Sequence, residues 1–250
     1  MSFLTKVKRI SIQAGFYRPT RWLSRRLRPA RLQSFVNDVS FYQNLLPSGG
    51  LVFDVGANIG EKSEALLEAG MKVIAFEPNP EVIAELLGRC RHRQEWTLIQ
   101  TALSGSAGIA SFYARTSHES SGFDPHWGGS SAQVYHVPVL TLDLAIAHFG
   151  VPDFCKIDVE GWELEVLRGL TKTPGILCFE YHLTNDNIAK TLCCLERLDE
   201  LGYTHANLAP AESTAFFHAD WIPLRELRQN FPRSYQSISH LAYGDIFVRI

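Results

Sequence analysis

The chain has 250 residues, with 24 Lys or Arg against 26 Asp or Glu, 46% hydrophobic and 11% aromatic side chains. That supports one packed domain with an extension and excludes a disordered or low-complexity polymer. No apolar run approaches the roughly 18 residues of a membrane span, and no basic groove interleaved with aromatics points to nucleic acid.

The five cysteines, Cys90, Cys155, Cys178, Cys193 and Cys194, include no C-x-x-C pair. Buried reduced thiols in a cytoplasmic compartment are expected, with no secretory leader. Charge is uneven. Residues 1–31 hold nine Lys or Arg and no acid, so the other fifteen basic residues face all 26 acidic ones. Within this arm Phe3, Val7, Ile10 and Ala14 recur at helical spacing. Two readings stay open: peripheral contact with an anionic membrane or carrier, or a solvated basic helix against the acidic body. The expected division is a basic helical N-terminal extension over 1–46 and a nucleotide-binding domain over 47–250.

A helix is predicted over 32–46, ended by Pro47-Ser48-Gly49-Gly50. Leu51 to Phe53 reads as a buried strand that breaks at Asp54 into Gly56-Ala57-Asn58-Ile59-Gly60, with a helix from Glu61. Strand, glycine turn and helix open a nucleotide-binding βαβ unit, in which glycines admit close backbone approach. Lys72 to Phe76 supplies the next strand, ending at Glu77, which suits a ribose hydroxyl pair. A pyrophosphate would want a third glycine and no acid at the helix start. Here the spacing is G-x-N-x-G and Glu61 follows. S-adenosylmethionine carries no phosphate but has a sulfonium and an ammonium, which Asp54 and the turn carbonyls suit. The reading is therefore adenosylmethionine over NAD, with an ordinary βα turn as the bland alternative.

Pro78-Asn79-Pro80 is expected to start a helix, with Pro80 in its first turn. Trp96 to Gln100 is a third strand, and the loop after it, from Ala102 to Ser104, flanks an adenine if ligands sit beyond the strand ends. Ile109 to Ala114 and Val134 to Leu140 read as paired strands around a long loop, 115–133, with Phe123 and Trp127. A lid or acceptor-binding loop is the favoured reading. His118, His126 and His136 match no compact ligand spacing, so no metal is assigned. Thr141 caps a helix.

Phe154 to Gly161 is a strand running into a turn, and Trp162 to Leu170 is helical. Alternation places Lys156, Asp158 and Glu160 on one face, with Lys156 structural, Asp158 facing the crevice and Glu160 setting the turn. A strand over Gly175 to Tyr181, a helix over 187–201 and strands over Thr204 to Leu208 and Asp245 to Ile250 complete the scheme. Residues 209–243 form an insertion expected to cover the sheet's end and shape the acceptor site. The result is a Rossmann-like, doubly wound α/β fold.

These motifs resemble FkbM-family methyltransferases of the class I adenosylmethionine-dependent superfamily. The resemblance rests on Phe53 to Gly60, on Ala75-Phe76-Glu77-Pro78-Asn79, and on Leu142-Asp143 leading to Lys156 through Gly161, Glu163 and Val166-Leu167-Arg168-Gly169. It covers roughly residues 50–182. It implies a seven-stranded sheet with the last strand antiparallel, and methyl transfer usually to a hydroxyl of a sugar or natural product. It also implies that Asp54, Gly56, Ala57, Asn58, Gly60 and Ser63 line the methionine end. Glu77 would hold the ribose with Pro78 and Asn79 beside it, Ala102 and Leu103 would border the adenine, and Asp158 would close the cofactor site. Thr101 stands where many members have Asn.

His182, at the carboxyl end of a strand beside the crevice, is the preferred general base, oriented by Asp158 or Glu180. A structural His182, or Asp158 itself as base, are the alternatives. The acceptor is a small molecule or saccharide; the oligomeric state is not legible. Two rival functions remain: a non-catalytic adenosylmethionine-binding scaffold, and an NAD-dependent oxidoreductase.

Overall fold

The computed structural model describes residues 29–125, 131–211, 213–233, 235 and 242–250. The basic arm with Phe3, Val7, Ile10 and Ala14, and the loop residues His126 and Trp127, lie outside the described residues. Among the described residues no helix is long and apolar enough to cross a membrane.

The chain enters through α1 (Pro29–Leu45), then alternates β1 (Leu51–Val55), α2 (Glu61–Glu68), β2 (Lys72–Phe76), α3 (Ile83–Cys90) and β3 (Trp96–Ile99). A side sheet follows, from β4 (Ala102–Leu103), β5 (Gly108–Ala114) and β6 (Gln133–Leu140). Alternation resumes with α4 (Leu142–Phe149), β7 (Phe154–Ile157), α5 (Glu163–Arg168), β8 (Ile176–His182), α6 (Asn185–Glu200) and β9 (His205–Pro210). The chain closes with β10 (Ile222–Pro223), α7 (Leu224–Asn230) and β11 (Tyr243–Arg249).

The main sheet runs β10-β9-β11-β8-β7-β1-β2-β3. Strands β1, β2, β3, β7 and β8 pair in parallel, and β11 is antiparallel to both β8 and β9. The seven-stranded arrangement with an antiparallel last strand is therefore present, and two-residue β10 adds an eighth strand at the edge. Chain order reverses between β1 and β7, which opens a crevice beyond their carboxyl ends.

Period-2 alternation divides the apolar side chains between two cores. Phe53, Val55, Ile74, Phe76, Ile157, Leu177, Phe179 and Val248 face one layer, with Leu142, Ile146, Val166, Leu167, Leu195, Leu198 and Leu227 from helices α4 to α7. Val52, Val73, Ala75, Phe154, Cys178 and Phe247 face the other, with Tyr42, Leu66, Leu67 and Leu86 from α1 to α3 and Leu46 just after α1. Strands buried on both faces explain the near-continuous apolar runs. A single register row on the second face, Asp54–Lys156–Cys178, carries polar groups into this layer.

Three local expectations change. The helix after Pro80 starts only at Ile83, because Asn79 closes a side-chain turn, accepting the Glu81 amide at 3.0 Å on its Oδ1. Strand β7 stops at Ile157 and Glu160 takes φ 55°, so strand alternation does not run through to Glu160. The described part of the 209–243 insertion clasps the antiparallel edge from both sides. Phe216 packs on Phe41 and Phe247 at 5.3 and 5.2 Å, while Leu224, Leu227 and Phe231 enter the opposite core.

Other expectations hold. Thr141 Oγ1 accepts the Leu144 amide at 3.2 Å, as a helix cap should. Four of the five cysteines are buried as expected, whereas Cys193 is exposed on α6.

Candidate active site

The crevice is built from four chain reversals at the carboxyl ends of β1, β2, β7 and β8. After β1, Gly56 turns at φ 82°. A side chain there would place its Cβ 1.8 Å from the carbonyl oxygen of Asp158, so only glycine lets the β1 and β7 turns touch. Asn58 is also left-handed, at φ 50°, a conformation Asn tolerates better than most residues.

That conformation aims the Asn58 amide at Glu77, donating to Oε2 at 2.7 Å. The Asn79 amide donates to Oε1 at 2.7 Å. Glu77 is 5% exposed, and each of its oxygens thus takes one backbone N–H and keeps lone-pair capacity for a second donor. Burial pushes its carboxyl up to about 7, against the pull of the two amides.

Asp54, one residue before the end of β1, faces the second layer and is buried, and Ser63 donates its hydroxyl to its Oδ2 at 2.5 Å. Burial raises the Asp54 carboxyl, while Ser63 and Lys156 pull it back. Ser63 is itself fully buried, so it acts on the crevice through Asp54. Asn58 Oδ1 is buried with no hydrogen-bond partner among the described residues. A buried polar atom left without a partner in a folded protein calls for an explanation. Ala57, Gly60, Pro78 and Asn79 are buried as the walls of these two turns.

Lys156 is 2% exposed and donates to Asp158 Oδ2 at 2.7 Å. Burial opposes its charge, but Asp158 and Asp245 outweigh it and hold the ammonium well above its ordinary range. The structural reading of Lys156 and the crevice-facing reading of Asp158 are both compatible with this geometry. Asp158, Glu160 and Glu180 bring carboxylate oxygens within 4.8 Å of one another, with the Lys156 ammonium on Asp158.

His182 ends β8, and its Nε2 lies 3.1 Å from Glu180 Oε2. Glu180, rather than Asp158, is the residue that holds the imidazole. This hydrogen bond raises the His182 pKa above its usual value, against partial burial. The ring stacks on Tyr243 at 5.7 Å and 11°. Tyr243 had no signal in the sequence, because only the β8–β11 register sets it opposite His182. Glu180 and His182 also line a pocket with Gly161, Glu163, Asn187 and Thr191.

Ala102 and Leu103 are buried in β4, which pairs in parallel with β6 in the side sheet. Thr101 is occupied: its hydroxyl donates to the Pro138 carbonyl at 2.8 Å and fastens the side sheet. Beyond β5 the described part of the long loop returns over the β7 turn. Gly122 bridges to Tyr113, and a side chain at Gly122 would sit 3.6 Å from the Glu160 carbonyl. Phe123 packs on Phe112 and Trp162, both at 5.4 Å. Trp162 Nε1 donates to Ser104 Oγ at 3.3 Å, tying the loop's seat to the β4 end. Arg115 holds the loop together, its guanidinium donating to the carbonyls of Tyr113, Ser120, Asp124 and Pro125 at 2.9 to 3.3 Å.

Known proteins resemble the chain at several levels. Hexuronic acid methyltransferase AglP of Haloferax volcanii is 32% identical over 125 residues, which is 48% of this chain and 50% of that protein. The match thus spans about half the length of this curated relative. A TehB-like SAM-dependent methyltransferase from Corynebacterium glutamicum aligns over 86% of this chain and 88% of its own, at 10% identity and a TM-score of 0.47. Aeropyrum pernix fibrillarin with bound S-adenosyl-L-methionine aligns over 80% and 66%, at 12% identity and 0.44. The methyltransferase FkbM domain matches residues 54–224, from the end of β1 to the start of α7. With more than half of the chain matched, and the match spanning every turn that shapes the crevice, the chain belongs to the FkbM methyltransferase family.

Proposed function

We propose that the protein transfers a methyl group from S-adenosylmethionine to a hydroxyl of a saccharide acceptor. The observation that carries this is Glu77, a buried carboxylate held by the amides of Asn58 and Asn79, one on each oxygen. Such a carboxylate is pre-set to accept two vicinal hydroxyls. The surrounding acids suit a cationic ligand better than a diphosphate, which weighs against the NAD reading.

The residues present fit this methyl donor. Asp54 and the orphaned Asn58 Oδ1 suit its ammonium, Glu77 suits the ribose hydroxyls, and Ala102 and Leu103 offer an apolar border for the adenine. When bound, S-adenosylmethionine supplies a sulfonium-activated methyl group. The chain's own task is then to align the acceptor oxygen and remove its proton. Alignment lowers the barrier by several kcal/mol, on the order of 7 or more in well-oriented cases. His182 in its neutral form takes the proton, with Glu180 fixing the ring and stabilising the imidazolium. The loop fastened by Arg115 and seated on Trp162 screens the crevice from water.

The AglP relationship makes uronic acids the first acceptors to test. The deciding experiment is calorimetric titration with S-adenosylhomocysteine and, separately, NAD. Saturable binding of the first alone supports the proposal, followed by a methyl-transfer screen over uronic acids and neutral hexoses. Binding of NAD alone overturns it. Binding of S-adenosylhomocysteine with no turnover on any saccharide favours the scaffold alternative.

A further inference from the structure

The turn from Asp158 to Gly161 is where the two halves of the crevice meet. On one side the Asp158 carbonyl lies against Gly56 so closely that any Cβ would overlap it at 1.8 Å. On the other, Val159 and Glu160 face Gly122 of the loop, at 3.6 to 3.9 Å from a Cβ placed there. The turn contains two successive left-handed residues, Glu160 at φ 55° and Gly161 at φ 87°. A non-glycine residue in that region is uncommon and persists where its surroundings over-determine it.

A neighbouring side chain contributes to that determination. Glu163, 7% exposed, accepts the amides of Gly161 at 3.0 Å and Val159 at 3.3 Å, both on Oε1. We propose that Glu163 is a positioning residue whose carboxylate clamps the Asp158–Gly161 turn, and so holds the wall shared by the cofactor end and the covering loop. The proposal rests on reading the crevice as a methyltransferase site. Glu163 lines the pocket beside Glu180 and His182, but its Oε1 is engaged by the turn. It acts through Asp158, whose carbonyl abuts Gly56, and through Glu160, against which Gly122 rests.

Because one oxygen accepts both amides, the clamp needs an acceptor at that point rather than a charge. Glu163→Gln keeps an oxygen there, and Glu163→Met keeps the volume and deletes it. The expected result is S-adenosylhomocysteine binding weakened tenfold or more in Glu163→Met and within threefold of wild type in Glu163→Gln, with kcat/KM following the same order. Wild-type affinity in Glu163→Met, or equal losses in the two variants, would overturn the clamp. If wild type itself fails to bind, the methyltransferase reading falls instead. Should Glu163→Met not fold, amide hydrogen exchange on wild type decides: strong protection of Val159 and Gly161 is expected, and free exchange at both would refute the clamp.

Discussion

Asn58 and Glu77 are 19 residues apart in sequence and joined by one 2.7 Å hydrogen bond, from the Asn58 amide to Glu77 Oε2. This bond ties the glycine turn after β1 to the acid after β2. It fixes the position of one turn relative to the other. Without the left-handed Asn58 the amide would point elsewhere and Glu77 would be a half-satisfied buried carboxylate, which is costly.

Glu77→Ala is expected to weaken S-adenosylhomocysteine binding by roughly 10²-fold, since hydrogen bonds to a charged group contribute about 1.5–3 kcal/mol each. Affinity should also rise with pH through about 7, where Glu77 ionises and becomes an acceptor on both oxygens. Calorimetry across that range checks both. An unchanged affinity in the variant would remove Glu77 from the site.

Stability should show the opposite trend with pH. Glu77 and Glu163 are each pushed to about 7, above their ordinary 4.5, so the folded state retains protons that the unfolded chain has lost. The associated stability is fully present below about 4.5 and is lost as pH rises through about 7. The loss is roughly 3 kcal/mol per group by about pH 8. Urea unfolding of the ligand-free protein should therefore give a larger free energy near pH 5.5 than near pH 8, and Glu77→Gln should flatten the difference. Equal stability at the two pH values would contradict the burial argument.

His182→Ala should lower turnover by about 10²–10⁴-fold, the usual contribution of a positioned base, and leave S-adenosylhomocysteine affinity unchanged. In wild type, kcat should rise with pH with a midpoint above about 6.5, because Glu180 stabilises the imidazolium. Glu180→Gln should move that midpoint down. A pH profile insensitive to Glu180 would show that His182 is structural.

The Lys156–Asp158 pair is asymmetric, with side-chain exposures of 2% and 35%. Deleting the exposed partner strands the buried one. Asp158→Asn should therefore destabilise the fold by about 3 kcal/mol or more, and Lys156→Met by clearly less, since water reaches the Asp158 carboxylate. Denaturant unfolding of the two variants gives the order, and the reverse order would mean that Asp245 alone suffices to hold Lys156 charged.

Some residues could be read in the sequence because their signal is local. The turn at Gly56–Gly60 and the acid at Glu77 follow from strand length and a glycine's backbone freedom, and both stand at the expected strand ends. The helix after Pro80 starts later than its sequence suggests because Asn79 competes with it through its own side chain, a contest that propensity does not resolve. Alternation through Glu160 failed because a strand's period ends where its pairing does.

What the sequence determined by itself was the α/β alternation, the two-sided burial of the central strands, and which acids end them. Those properties depend on the spacing of apolar side chains and on backbone sterics a few residues long. The tertiary structure alone decided which groups meet: Glu180 rather than Asp158 on His182, Tyr243 behind the ring, Thr101 on Pro138, and Glu163 under the Asp158–Gly161 turn. Each of these pairings depends on strand register or on a turn's left-handed residue, where a shift of one position exchanges the faces of a strand. Chain order does not encode that choice locally; the packing of the whole sheet does.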